Sequence, residues 1–154
     1  MVRPVPTLTP SQTATLQARL ADAAVLPLQR RAVPHVAAMA SSGPDVRNSD
    51  GTAHVLALIR QEQSSAPLRG AIEVAAKALL HNALPNGEVV SVGDRQGDAL
   101  AVLAQRVLQL HLAGDSTAAW ALLEQYDVPR HAAVLALFTT WLNLQLAGVD
   151  PLRL

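Results

Sequence analysis

Apolar residues recur along this chain with a helical period, and they are densest toward the C-terminal end. Over 130–147, Val134, Leu135, Leu137, Phe138, Trp141, Leu142, Leu144 and Leu146 cover more than half of a helical circumference at roughly 100° per residue. Ala132, Ala136, Thr139, Thr140 and Asn143 make up the remaining strip. A helix this apolar must be covered on several sides. The pattern therefore predicts an all-α fold, a single compact domain of six to seven helices with 130–147 at its centre.

Caps and breakers divide the rest. Residues 1–8 contain Pro4 and Pro6 and no period, so they read as a flexible arm ahead of one domain over 9–154. Thr9-Pro10-Ser11-Gln12 has the spacing of a capping box, with Thr9 as N-cap, Pro10 in the first helical position and Gln12 reaching back. Pro27 opens a second helix, which Pro34 is expected to kink or split near Ala32 because proline removes a backbone donor. Loop composition follows through Asp50-Gly51, and a third helix carries Val55, Leu58 and Ile59 inward. Pro67 opens a fourth, apolar at Leu68, Ile72, Ala75, Ala76 and Leu79. Its ladder Arg69, Glu73, Lys77 predicts a solvated face with two ion pairs of about 0.3 kcal/mol each.

The stretch 84–97 lacks a helical period. Pro85-Asn86-Gly87, the β-prone Val89 to Val92 and Gly93-Asp94 predict a long loop or small hairpin there. An amphipathic helix over 98–113 then closes at Gly114, Asp115 caps the next, and Asp127 with Pro129 starts the central helix. Shifted by 34 residues, Leu110-His111-Leu112-Ala113-Gly114 overlays Leu144-Gln145-Leu146-Ala147-Gly148. That period is the one of tetratricopeptide-type hairpins, but only about one and a half copies are present and no family follows from it.

Composition narrows the chemistry. Half of the 154 residues are hydrophobic and 3% aromatic, so the core is built from Leu, Val and Ala. A chain of this size folds without a metal or disulfide. With no cysteine, thiol catalysis, cysteine-ligated zinc and iron–sulfur clusters are excluded, and no cofactor is expected. The first residues lack the apolar run of a secretory signal, which predicts a cytoplasmic location. The longest apolar run, about 17 residues interrupted by Thr139, Thr140, Asn143 and Gln145, is shorter than the roughly 20 a bilayer needs. The 12 basic and 12 acidic groups balance, but 1–77 carries eight basic and five acidic (+3) and 78–154 four and seven (−3).

Among the five histidines no H-E-x-x-H or other i,i+4 pair occurs, so no metal site is expected. His54 and His81 read as exposed. His111 falls beside the apolar arc of Leu100, Ala104 and Val107; it reads either as a carbonyl-bonded residue favoured by the helix dipole or as a base or ligand lining a pocket. Gln145 occupies the equivalent place beside Phe138 and Trp141, and His131 lies in the first turn of the same helix. His131 and Gln145 are about 21 Å apart along that helix, so at most one of them joins His111. Asp94 and Asp98 read as helix caps rather than cation ligands, and no nucleophile elbow or phosphate loop is present.

Every aromatic lies at or beyond Trp120. Trp120, Tyr126 and Trp141 are the candidate interface anchors. Arg19, Arg30 and Arg31, with Arg47 and Arg60, are a candidate basic surface, too sparse for the dense stripe that nucleic acid requires. The sequence thus predicts a non-catalytic helical interaction or assembly module, a homo-oligomer, most simply a dimer, self-associating through its C-terminal half. The alternatives are a ligand-binding protein or enzyme with a pocket near His111, and a nucleic-acid-associated regulator using the basic N-terminal half.

Overall fold

A computed structural model describes residues 8–41, 66–80 and 99–147. Six helices account for nearly all of them: α1 (Pro10–Ala23), α2 (Pro27–Ser41), α3 (Ala66–Leu80), α4 (Ala99–Leu112), α5 (Ser116–Leu123) and α6 (Val128–Leu146). The fold is all-α, with no strand among the described residues. Residues 1–7 of the arm, the third helix with Val55, Leu58 and Ile59, the 84–97 loop or hairpin, His54, His81, Arg47, Arg60, Asp94 and Asp98 lie outside them.

Local chemistry starts and stops the helices where the capping residues place them. At α1 the Thr9 N–H donates to Gln12 Oε1 (2.9 Å) and the Gln12 N–H to Thr9 Oγ1 (3.2 Å), a complete capping box. Asp115 accepts from the Ala118 N–H at 2.9 Å to cap α5, and Asp127 from the Arg130 N–H at 3.1 Å to cap α6. Between α4 and α5, Gly114 takes the left-handed conformation (φ 79°). Its N–H reaches the His111 carbonyl at 3.0 Å and that of Asp115 reaches Leu110 at 2.9 Å, the paired bonds of a Schellman stop.

α2 is not split at Pro34. It runs unbroken from Pro27 through Pro34 to Ser41. Pro34 and Arg30 both face solvent, so water can satisfy the carbonyl that the proline leaves without a donor, while Ala32, Val36, Met39 and Ala40 keep the opposite face in the core. Just before α1, the Leu8 side chain is buried and its N–H donates to the Ser41 carbonyl at 3.3 Å, fastening the end of the arm to the end of α2.

Two helices, α6 and α3, each pack against four others in the core. α6 packs against α1, α2, α3 and α4, and is buried continuously from Val134 to Asn143. Its polar strip is enclosed with the rest. Thr139 and Thr140 satisfy their hydroxyls on the Ala136 carbonyl at 2.8 and 2.9 Å, and Asn143 Nδ2 donates to Ala40 of α2 at 2.6 Å. α3 packs against α1, α2, α4 and α6. Small residues let it in: a Cβ on Gly70 would stand 2.8 Å from the Leu28 carbonyl oxygen, so α2 and α3 touch backbone to backbone. The face predicted as solvated is therefore partly covered. Glu73 is mostly buried, Arg69 is half exposed, and the Arg69–Glu73 ion pair (3.3 Å) is the only one of the two predicted pairs that forms.

Candidate functional site

The described polar side chains are not scattered; several join into one string across four helices. It begins with Gln29, the third residue of α2, fully enclosed. Its Oε1 accepts from the Val25 N–H (2.9 Å) and the Leu26 N–H (3.1 Å), the return half of a capping box with no serine or threonine at the cap. Its Nε2 donates to Glu73 Oε2 at 3.4 Å, and Glu73 Oε1 accepts from Arg69 Nε at 3.3 Å. The Arg69 guanidinium lies 5.3 Å over the Trp120 ring, within cation–π range. Trp120 in turn meets the His131 imidazole at 5.3 Å and 58°. His131 Nε2 pairs with the Leu123 carbonyl; since a carbonyl only accepts, Nε2 carries the hydrogen. His131 is only 5% exposed, and its Nδ1 has no hydrogen-bond partner among the described residues.

This string fixes the geometry of one end of the molecule. Arg69 and Glu73 are a turn apart near the start of α3, with the α1–α2 corner on one side and α5 on the other. Both flanks are apolar at the surface. Val25 is 61% and Leu26 55% exposed, with Leu28 beside them, and Tyr126, between α5 and α6, is 41% exposed with the Arg130 guanidinium 5.9 Å over its ring. Of the large apolar side chains exposed among the described residues, four belong to these corners; Val102 and Leu112 lie on α4.

The sequence-predicted site residues separate. Tyr126 is at the surface and Trp120 is half buried beneath Arg69. Trp141, expected as an anchor, lies in the core instead: it is 4% exposed and 5.8 Å from the Phe138 ring. A tryptophan on a helix that is apolar on most of its circumference has no outer face to occupy.

His111 is half buried in the last turn of α4, and its pKa is pushed down from 6.5 to about 4, first by burial and then by the Lys77 charge. Those two causes override the upward pull of the helix C-terminus, and no carbonyl bond to the ring is made among the described residues. Lys77 is about 12 Å further along α3 than Arg69, so His111 and the His131–Trp120 contact sit against different stretches of that helix. Gln145 is half buried in the last turn of α6. Arg30 and Arg31 are exposed on α2, whereas Arg19 is half buried on α1, its Nη1 enclosed without a hydrogen-bond partner among the described residues. The three do not make one open basic face.

Two residues of this end, Gln29 and Gly70, had no place in the sequence reading. Gln29 had a legible signal, because Pro27 and Gln29 repeat the spacing of Pro10 and Gln12. Gly70 had none, since a glycine inside a helix does not say what passes over it. Among the described residues no group of three or more His, Asp or Glu is placed to hold a metal, and no helix is long and apolar enough to cross a membrane. Compared with family models, curated proteins and solved structures, the chain matches none.

Proposed function

We propose that this protein is a non-catalytic helical assembly module that binds a second copy of itself. The observation that carries the reading is the exposure of Val25, Leu26 and Leu28 at the α1–α2 corner and of Tyr126 at the α5–α6 corner, two corners whose helices meet through the Gln29–Glu73–Arg69–Trp120 string. Large apolar side chains exposed at a surface gain from being covered by a partner. Zero formal net charge adds no long-range repulsion between copies. Relative to the sequence expectation, the interface moves from the C-terminal half alone to an end shared by both halves.

Sedimentation equilibrium across about a hundredfold range of concentration is the test, since self-association follows mass action. The weight-average mass is expected to rise from one chain toward two, and the Val25→Glu/Leu26→Glu variant to remain at one chain. A single-chain mass for the unaltered protein at every concentration overturns the proposal.

A further inference from the structure

We infer that α5 is a strap: it lifts away as a unit while the other five helices stay folded, and so controls whether His131 meets solvent. The strap belongs to the single chain, whether or not copies associate. The helices are held unevenly. Among the described residues α5 packs broadly against α4 alone, whereas each of the others packs against three or four helices. α4 and α6, the helices it joins, also pack directly on each other and on α3, so the body of the domain keeps its contacts when α5 leaves. An eight-residue helix is too short to hold itself in water, and α5 therefore stands by what it touches.

Both ends of the strap are free to turn. The stretches 112–115 before it and 124–127 after it are exposed at every residue. At Gly114, φ is 79° and a Cβ would meet nothing within 4 Å, so the backbone can rotate there without striking a neighbour. On the inner side Ala119 and Leu123 are buried, and Trp120 ties α5 to the two helices it does not pack against broadly. Trp120 meets the Arg69 guanidinium of α3 and the His131 ring of α6, each at 5.3 Å, and the Leu123 carbonyl accepts from His131 Nε2. The ring and the carbonyl set against His131 thus both belong to α5. Closure also carries a cost: His131 Nδ1 is enclosed without a hydrogen-bond partner among the described residues, and water satisfies it once the strap lifts. Opening therefore frees both imidazole nitrogens, and the unpaired one offsets part of the loss of Leu123 burial. Few packing partners and exposed flanks are the features of a segment that opens below the global unfolding free energy.

Native-state amide hydrogen exchange, read residue by residue by NMR, tests the strap. Amides of 119–124 are expected to be protected about a hundredfold less than those of 134–142, and to respond little to low concentrations of urea, because lifting one short helix uncovers little surface. Val36→Ala then separates local from global opening. Val36 is fully buried on α2, a helix that does not pack broadly against α5, and its loss is expected to lower protection of 134–142 about tenfold while leaving 119–124 unchanged. Equal protection of the two stretches in the unaltered protein, or a fall in 119–124 that matches the fall in 134–142, overturns the strap. The histidine supplies the second measurement. Carbethoxylation of His131 by diethyl pyrocarbonate, followed by mass spectrometry of the digested chain, is expected to proceed at a rate that Val36→Ala leaves unchanged. A rate that rises about tenfold in that variant means that His131 emerges only when the whole domain unfolds, and overturns the control of His131 by α5.

Discussion

The middle of this molecule and its α3-start end are built from similar residues put to different uses. In the middle, α3 and α6 are enclosed almost all the way round, and even threonines and an asparagine are buried there, the hydroxyls and the Asn143 Nδ2 donating to helix carbonyls. At the end, Val25, Leu26 and Tyr126 remain in solvent, while the residues that vanish from the surface are a glutamine, a glutamate and a histidine. Polarity is a poor guide to burial in this chain. Gln29 and Glu73 lie inside, where each completes a neighbour's hydrogen bonds, whereas Leu26 at the α1–α2 turn is 55% exposed.

That contrast predicts that substitutions of enclosed residues act on stability, and that substitutions of the exposed Val25 and Leu26 act on the proposed association instead. The largest effect belongs to Phe138, fully buried on α6; Phe138→Ala is expected to lower the unfolding free energy by about 4 kcal/mol in urea titration. Gly70→Ala comes next, at about 3 kcal/mol by the same measurement, because the new methyl meets the α2 backbone at 2.8 Å and a backbone cannot step aside as a side chain can. Gln29→Ala should follow at about 2 kcal/mol, since it leaves the Val25 and Leu26 N–H groups and Glu73 without their partner. An unchanged urea titration for Gly70→Ala would mean that α2 and α3 do not meet backbone to backbone at this position.

A smaller effect is set by pH. The His111 pKa is about 4 in the folded chain against 6.5 as its ordinary value, so the folded state resists protonation where the unfolded state accepts it. Stability contributed by the neutral ring is present above pH 6.5, falls as pH drops from 6.5 toward 4, and levels off below 4. Solvent access at this half-buried position holds the loss to about 1 kcal/mol. His111→Gln is expected to flatten that segment of the stability profile, and an identical slope in both chains would assign it to other groups. The smallest stability effect is expected at the end itself: Val25→Glu/Leu26→Glu should change the unfolding free energy of the single chain by less than about 0.5 kcal/mol, while abolishing the rise of mass with concentration. A large destabilisation of the single chain would place those leucine and valine side chains in the core.

The helical class, the starts of α1, α5 and α6 and the stop at Gly114 were all readable from one chain, because each depends on residues within a turn of one another. Thr9 with Gln12, Asp115 with Ala118 and Asp127 with Arg130 are bonds across three residues, closed by local geometry whatever surrounds them. The α6 periodicity likewise announced a helix that must be covered. It did not say by what, and so Trp141 was as good an anchor as Trp120 until the neighbours were in place.

Only the tertiary structure decided that α3 shares the centre with α6, that Pro34 sits where its missing donor matters least, and that Gln29, Glu73, Arg69, Trp120 and His131 form one string. These relations join residues dozens of positions apart, such as Gln29 with Glu73 and Ala40 with Asn143. Leucine and alanine patterning determines that a segment will be helical and which face is apolar, but many arrangements of such helices bury similar areas. The choice among them falls to close approach at a glycine and to the pairing of buried polar atoms, both of which exist only once two distant segments meet.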